Sequence, residues 1–154
     1  MAGVHQTEAR GFTLIELIVT IVILGILTSL AIPMARMSIQ RQKERELRYD
    51  LRTMRDALDR YKEAYDRQLF REKGDSSGYP KSLEILVKGV EINGGKTLRF
   101  LREIPVDPMT GKAEWGMRSM EDDPESDSWD ETAVYDVYTK AEGVGMDGTR
   151  YRTW

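Results

Sequence analysis

"RGFTLIELIVTIVILGILTSLAIPMAR", residues 10–36, sets a single glutamate, Glu16, at the lip of an uncharged run. Nineteen residues from Leu17 to Ala35 carry no charge, which is long enough for a helix to cross a bilayer. A carboxylate inside the apolar end of such a segment costs about 2.5–3.5 kcal/mol on insertion scales. A chain that keeps it there needs something to offset that cost.

Outward from this segment the sequence becomes polar. About 120 of the 154 residues lie outside the apolar run, room for one small soluble domain and not for two. The net charge of −3 is unevenly spread: residues 36–73 hold 12 Lys/Arg against 8 Asp/Glu, and residues 74–154 hold 10 against 16. A slightly basic stalk thus carries an acidic head, a poor electrostatic match for nucleic acid, so no nucleic-acid partner is expected. There is no cysteine, hence no disulfide framework and no thiolate metal site. The one histidine, His5, sits in the leader and reads as a solvated tail residue.

Three readings compete for residues 1–35. A secretory signal peptide has a shorter apolar core, and no clean A-x-A site follows in "SLAIPMAR". A plain transmembrane anchor fits the length but gains nothing from Glu16. The third reading comes from "RGFTLIEL", which resembles the processing site of type IV pilins and type II secretion pseudopilins. The resemblance implies that a membrane prepilin peptidase cuts after Gly11 and methylates the new N-terminal Phe12. Glu16 then falls at position five of the mature chain, where the family has its glutamate. Gly25 and Pro33 fall where the family's transmembrane helix carries a glycine and a proline, a stretch the resemblance implies can unwind in a filament.

The processing reading also explains the glutamate. Cutting at Gly11 creates an α-ammonium on Phe12 at the same membrane depth as Glu16. Helix geometry holds the two about 6 Å apart along the axis, so one chain pairs them poorly. A neighbouring chain shifted by about one turn can present its ammonium instead, and buried charges are tolerable when paired. Glu16 is read as a register mark for assembly and not as a catalytic acid. The flank charges point the other way: Arg36, Arg41, Lys43 and Arg45 outnumber Arg10, which by the positive-inside count would put the C-terminal part in the cytoplasm. The processing motif outranks the count, because such precursors expose their leader to a peptidase on the cytoplasmic face.

After Pro33, Leu47, Leu51, Met54, Leu58, Tyr61 and Tyr65 recur at helical spacing and form one apolar stripe. The stripe is expected to pack against the chain's own head, three heptads being short for a coiled-coil seam. Pro33 removes a backbone donor, and Thr28 or Ser29 can serve the carbonyl so freed. "EKGDSSGYPKS", residues 72–82, is turn-rich, and "SLEILV", 82–87, predicts a short helix with Ser82 as N-cap. Strands are predicted at 114–119, in "TAVYDVYTK" (132–140) and in "DGTRYRTW" (147–154), the last opened by an Asp-Gly turn. The expected fold is α+β and pilin-like: a long N-terminal helix, half transmembrane and half amphipathic, packed on a small antiparallel β-meander. The domain order is leader 1–11, assembly helix 12–35, amphipathic helix 36–73 and head 74–154.

"YPKSLEIL", "IPVDPMTGKAEWG", "YDVYTKAEG" and the terminal "W" look like the heads of major pseudopilins of type II secretion systems. That resemblance implies a homo-oligomeric helical filament rooted in the inner membrane, with the head in the periplasm. It implies as partners the prepilin peptidase, an inner-membrane assembly platform with its ATPase, and minor pseudopilins. It also raises a calcium site in the C-terminal loops. "MEDDPESDSWDE", 120–131, packs seven carboxylates, and Asp123, Asp127 and Asp130 could supply some of the six to eight oxygens calcium takes. The spacing is not that of an EF-hand, and the final loop is shorter than the calcium-binding version, so a solvated acidic loop is the favoured reading. The function expected is a structural subunit of a secretion pseudopilus. Alternatives are a type IV pilin for adhesion, motility or DNA uptake, and a membrane-anchored periplasmic enzyme or binding domain. Against an enzyme, the head has no histidine or cysteine and lacks G-x-S-x-G and the phosphate-loop pattern.

Overall fold

The computed structural model describes residues 11–71, 77–123, 126, 129 and 132–154, with backbone alone for 30–33. The first helix, α1, runs Leu14–Asp66, and the chain divides into two compact units, Met1–Gln40 and Arg41–Trp154. In the first unit the helix is a rod of apolar side chains. Leu14, Ile15, Ile21, Leu24, Ile26 and Leu27 are all exposed. Among the described residues α1 alone is long and apolar enough to cross a membrane. The backbone is helical through both Gly25 and Pro33. Thr20 donates to the Leu17 carbonyl, Thr28 to that of Leu24 and Ser29 to that of Ile26. The last two hydroxyls therefore serve carbonyls upstream of the one Pro33 frees.

In the second unit the α1 stripe is the spine of the core. Leu47, Leu51, Met54, Leu58 and Tyr61 are at most 1% exposed, and Tyr65 packs against them, as the periodicity predicts. Ala57 and Ala64 lie on the same face and are small enough to let the head approach. Each large apolar side chain so buried contributes about 1.5–3 kcal/mol. Tyr61 is gripped edge-on by Phe70 and Phe100, with ring centroids 5.1 and 5.2 Å away. α1 stops at Asp66 in a Schellman-type turn: Leu69 N–H reaches back to the Ala64 carbonyl and Gln68 N–H to that of Tyr65. Gln68, at φ 56°, takes the left-handed position usually given to glycine.

The head adds α2, Leu83–Lys88, and two antiparallel ribbons. β1 (Val90–Ile92) pairs with β2 (Lys96–Leu98) around "NGG", and Asn93 ties this hairpin to the end of α1 through the Leu69 and Gln68 carbonyls. β3 (Trp115–Arg118) pairs with β4 (Asp136–Thr139), Gly116 opposite Tyr138. The strands predicted in 114–119 and 132–140 are present, and the β1–β2 hairpin is additional to them. The helix at Ser82 forms, but its N-cap hydroxyl does not cap the backbone. That hydroxyl hydrogen-bonds Glu84, holding the Glu84 carboxyl below the usual carboxylate range.

The third predicted strand is not formed. The turn before it is, with Gly148 at φ 85° and Gly145 N–H bonded to the Thr149 carbonyl, but a single bridge, Val144 to Arg150, flanks it. Tyr151–Thr153 then coils into a 3-10 turn, η1. The cause is tertiary. Tyr151 buries its ring and gives its hydroxyl to Glu44, while Trp154 stacks edge-on against Tyr151 and offers its carbonyl to Arg55. These bonds to α1 replace a ladder.

Candidate functional site: the start of the helix and the loops of the head

At the start of α1 the local sequence builds its own cap. Thr13 Oγ1 accepts the Glu16 N–H at 3.3 Å, and the Thr13 carbonyl accepts the Leu17 N–H at 3.2 Å. Thr13 is thus the N-cap of α1, satisfying a donor that the first turn would otherwise leave open. The Glu16 carboxylate reaches back to the Thr13 hydroxyl at 3.5 Å, a long contact at the limit of a hydrogen bond. Thr-x-x-Glu is the pattern of a capping box, a signal that was present in the sequence and was not used to predict this cap. The carboxylate also sits in the first turn, where the helix dipole favours negative charge. Gly11 and Phe12 precede the helix and are exposed, Phe12 to 70%, and no atom lies within 4 Å of where a Gly11 side chain would begin. A scissile bond here would lie just before a capped helix, between two exposed residues.

The loops of the head carry the acidic candidates. The Asp123 carbonyl accepts the Ser126 N–H at 2.8 Å, and the Asp122 side-chain Oδ2 accepts the Ser119 N–H at 2.7 Å. Asp127 and Asp130 lie outside the described residues. Among the described residues no three His, Cys, Asp or Glu side chains are grouped to hold a metal ion. A fully buried carboxylate, Asp107, has a structural use instead: it accepts the Met109 and Thr110 N–H groups and the Thr139 hydroxyl, pinning the "DPMTGK" turn to β4. Asp50, on α1, is partly buried. Partial burial, the neighbouring Glu46 and then Asp107 push its carboxyl up to about 6.

The family model for the prokaryotic N-terminal methylation motif matches residues 8–32, which include Gly11, Phe12, Thr13, Glu16 and Gly25 and end one residue short of Pro33. Beyond the motif, the chain is 32% identical to a type II secretion system core protein G of Pseudomonas aeruginosa over 111 residues, 68% of this chain and 70% of the relative. It is 40% identical to the protein of the same name from Klebsiella pneumoniae over 110 residues, 64% of this chain and 68% of the relative. The chain belongs to the type II secretion major pseudopilins. No solved structure matches it.

A pseudopilin is a structural subunit of a secretion pseudopilus, and the two parts of this chain divide accordingly. The exposed apolar helix fits membrane anchoring. The head buries its own stripe and closes a core around Tyr61, Leu86 and Val137. Three helix residues that sequence reasoning passed over, Glu44, Arg48 and Arg55, turn out to organise the pseudopilin's C-terminal segment. No short-range pattern marks them, since their partners lie 81 to 107 residues away.

Proposed function

We propose that this pseudopilin is cut between Gly11 and Phe12 by a prepilin peptidase, methylated on Phe12, and polymerised into a helical filament rooted in the inner membrane. Its head stands in the periplasm, and the filament moves folded proteins through an outer-membrane channel. Assembly engages an inner-membrane platform, a cytoplasmic ATPase and minor pseudopilins. The observation that carries this reading is the start of α1: Glu16 is the one carboxylate in the apolar stretch from Leu14 to Ala35, whose described side chains are exposed, and among the described residues its carboxylate makes a single 3.5 Å approach to Thr13. Such a contact does not offset the cost of holding a carboxylate in lipid. The Phe12 ammonium of an adjacent subunit would, and each added subunit would repeat the pair. Gly25 and Pro33, helical in the single chain, would be where packing in the filament extends the helix.

The test has two arms. Mass spectrometry of the membrane-extracted protein should find a chain beginning at N-methyl-Phe12; an intact Met1 would reduce the segment to an anchor. Glu16→Gln and Glu16→Leu should both be processed and retained in the membrane yet fail to yield sheared filaments. Removing one member of a buried pair costs about 3–5 kcal/mol, which a repeating contact does not absorb. Wild-type filament yield from the leucine variant would overturn the register role of Glu16.

A further inference from the structure

The resemblance to major pseudopilins raises calcium in the C-terminal loops, and the loop 143–154 can be tested against that expectation. It contains one carboxylate side chain, Asp147, and Glu142 stands just before it. Calcium takes six to eight oxygens and draws several of them from carboxylates. Here both oxygens of Asp147 are already engaged. Oδ1 accepts the Thr149 N–H at 2.9 Å and the Thr149 hydroxyl at 2.6 Å, and Oδ2 accepts Arg48 Nη2 at 2.5 Å. The Thr149 bonds, with those from Arg48 beside them, hold the Asp147 carboxyl below the usual carboxylate range.

Arg48 does more than pair. Its guanidinium carbon lies 3.8 Å from the centroid of the Trp154 ring, and Trp154 Nε1 donates in turn to Thr149 Oγ1. The flanking helix positions complete the grip. Glu44, one turn before Arg48, accepts the Met146 N–H at 3.0 Å and the Tyr151 hydroxyl at 2.9 Å. Arg55, two turns after it, binds Asp136 through two nitrogens and gives a third bond to the Trp154 carbonyl. One oxygen of Asp147, the Tyr151 hydroxyl, the Trp154 ring, the Met146 N–H and the Trp154 carbonyl are therefore engaged by α1, and the other oxygen of Asp147 by Thr149. The residues present do not fit a calcium ion in this loop.

We propose that Arg48 takes the place of the cation in the C-terminal loop: its guanidinium neutralises Asp147 and seats Trp154, so the loop closes on α1 without metal. A guanidinium suits this exchange because it offers a planar fork to a carboxylate and a flat face to an aromatic ring at once. A lysine would supply the charge and lose the stacking. The inference concerns the head alone and stands apart from the processing and filament reading above.

The experiment uses the full chain in detergent, with calcium at 2 mM (on the order of a thousand times a micromolar dissociation constant) or with chelator. Thermal midpoints are read beside hydrogen exchange over 143–154. A filled site of that affinity would raise the midpoint by on the order of 10 °C. The expected shift is under about 1 °C. Arg48→Met keeps the stem and removes the guanidinium; it should speed exchange over 143–154 about tenfold with calcium or without, since a one-decade change follows from a small local loss. Arg48→Lys should recover only part. A calcium-dependent rise that disappears in Asp147→Asn would overturn the proposal, and so would unchanged exchange in Arg48→Met.

Discussion

Replacing Asp50 by asparagine should stabilise the head at neutral pH, and only there. Asp50 is partly buried on α1, with Glu46 one turn away and the buried Asp107 across from it, and its carboxyl is pushed up to about 6 from 3.8. The main cause is burial; the two carboxylates add to it. A carboxyl raised by folding binds its proton more tightly in the folded than in the unfolded chain. Its contribution is therefore fully present below pH 3.8 and is lost as the pH climbs through 6. Two pH units correspond to a ceiling of about 3 kcal/mol. Partial solvent access screens such charges, and about 1 kcal/mol is the realistic share. Asparagine keeps the size, has a similar helix propensity and carries no charge to desolvate. Midpoints of the full chain in detergent, measured from pH 3.5 to 8 for both proteins, should coincide below pH 4 and separate above pH 6 by about 4 °C in favour of Asp50→Asn. Glu84 and Asp147, whose carboxyls are lowered, act with the opposite sign in both proteins and cancel from the difference. A difference curve that is flat with pH, or an asparagine variant less stable at pH 7, would refute the account of Asp50.

Other substitutions probe the core and the helix start. Gly116→Ala would push a methyl into the Tyr138 ring across the β3–β4 ribbon, and overpacking of that kind should lower stability by about 1–3 kcal/mol in denaturant titration. Asp107→Ala strips partners from the Met109 and Thr110 N–H groups and the Thr139 hydroxyl; a loss of about 2–4 kcal/mol is expected, with Asp107→Asn recovering part. Leu51→Ala should cost about 2–5 kcal/mol, because the side chain is 1% exposed in the centre of the stripe. Thr13→Val removes the N-cap while nearly keeping the shape, so helix fraying measured by exchange at Glu16 and Leu17 should rise by the equivalent of about 1 kcal/mol, with Thr13→Ser close to the parent.

Local chemistry carried much of this protein in plain view. The charge-free run and the position of Glu16 were legible as a membrane-length segment with one misplaced carboxylate, because bilayer thickness translates directly into residue count. The stripe from Leu47 to Tyr65 announced a helix with one buried face, because helix geometry is set by neighbours three and four apart. Strand β4 followed from its β-branched and aromatic residues, and β3 from the turn signals at Pro105, Pro108 and Gly111 that precede it. The short hairpin at 90–98 was overlooked although "NGG" is a turn signal, since three-residue strands give alternation too little length to register.

What only the tertiary structure decided lies at the other end of the chain. "GTRYRTW" has strand-like composition, yet Tyr151 and Trp154 face α1 and not a sheet partner. Glu44, Arg48 and Arg55 looked like the solvated side of an amphipathic helix, and the fold turns them into the clasp of the C-terminal loop. The same holds for Asp50, an ordinary surface carboxylate by sequence until folding partly buries it, with Glu46 and then Asp107 adding their charge. Local sequence fixes which backbone states are cheap; side-chain charges choose their partners only after distant segments have been brought together, and that pairing is set by the closing of the core.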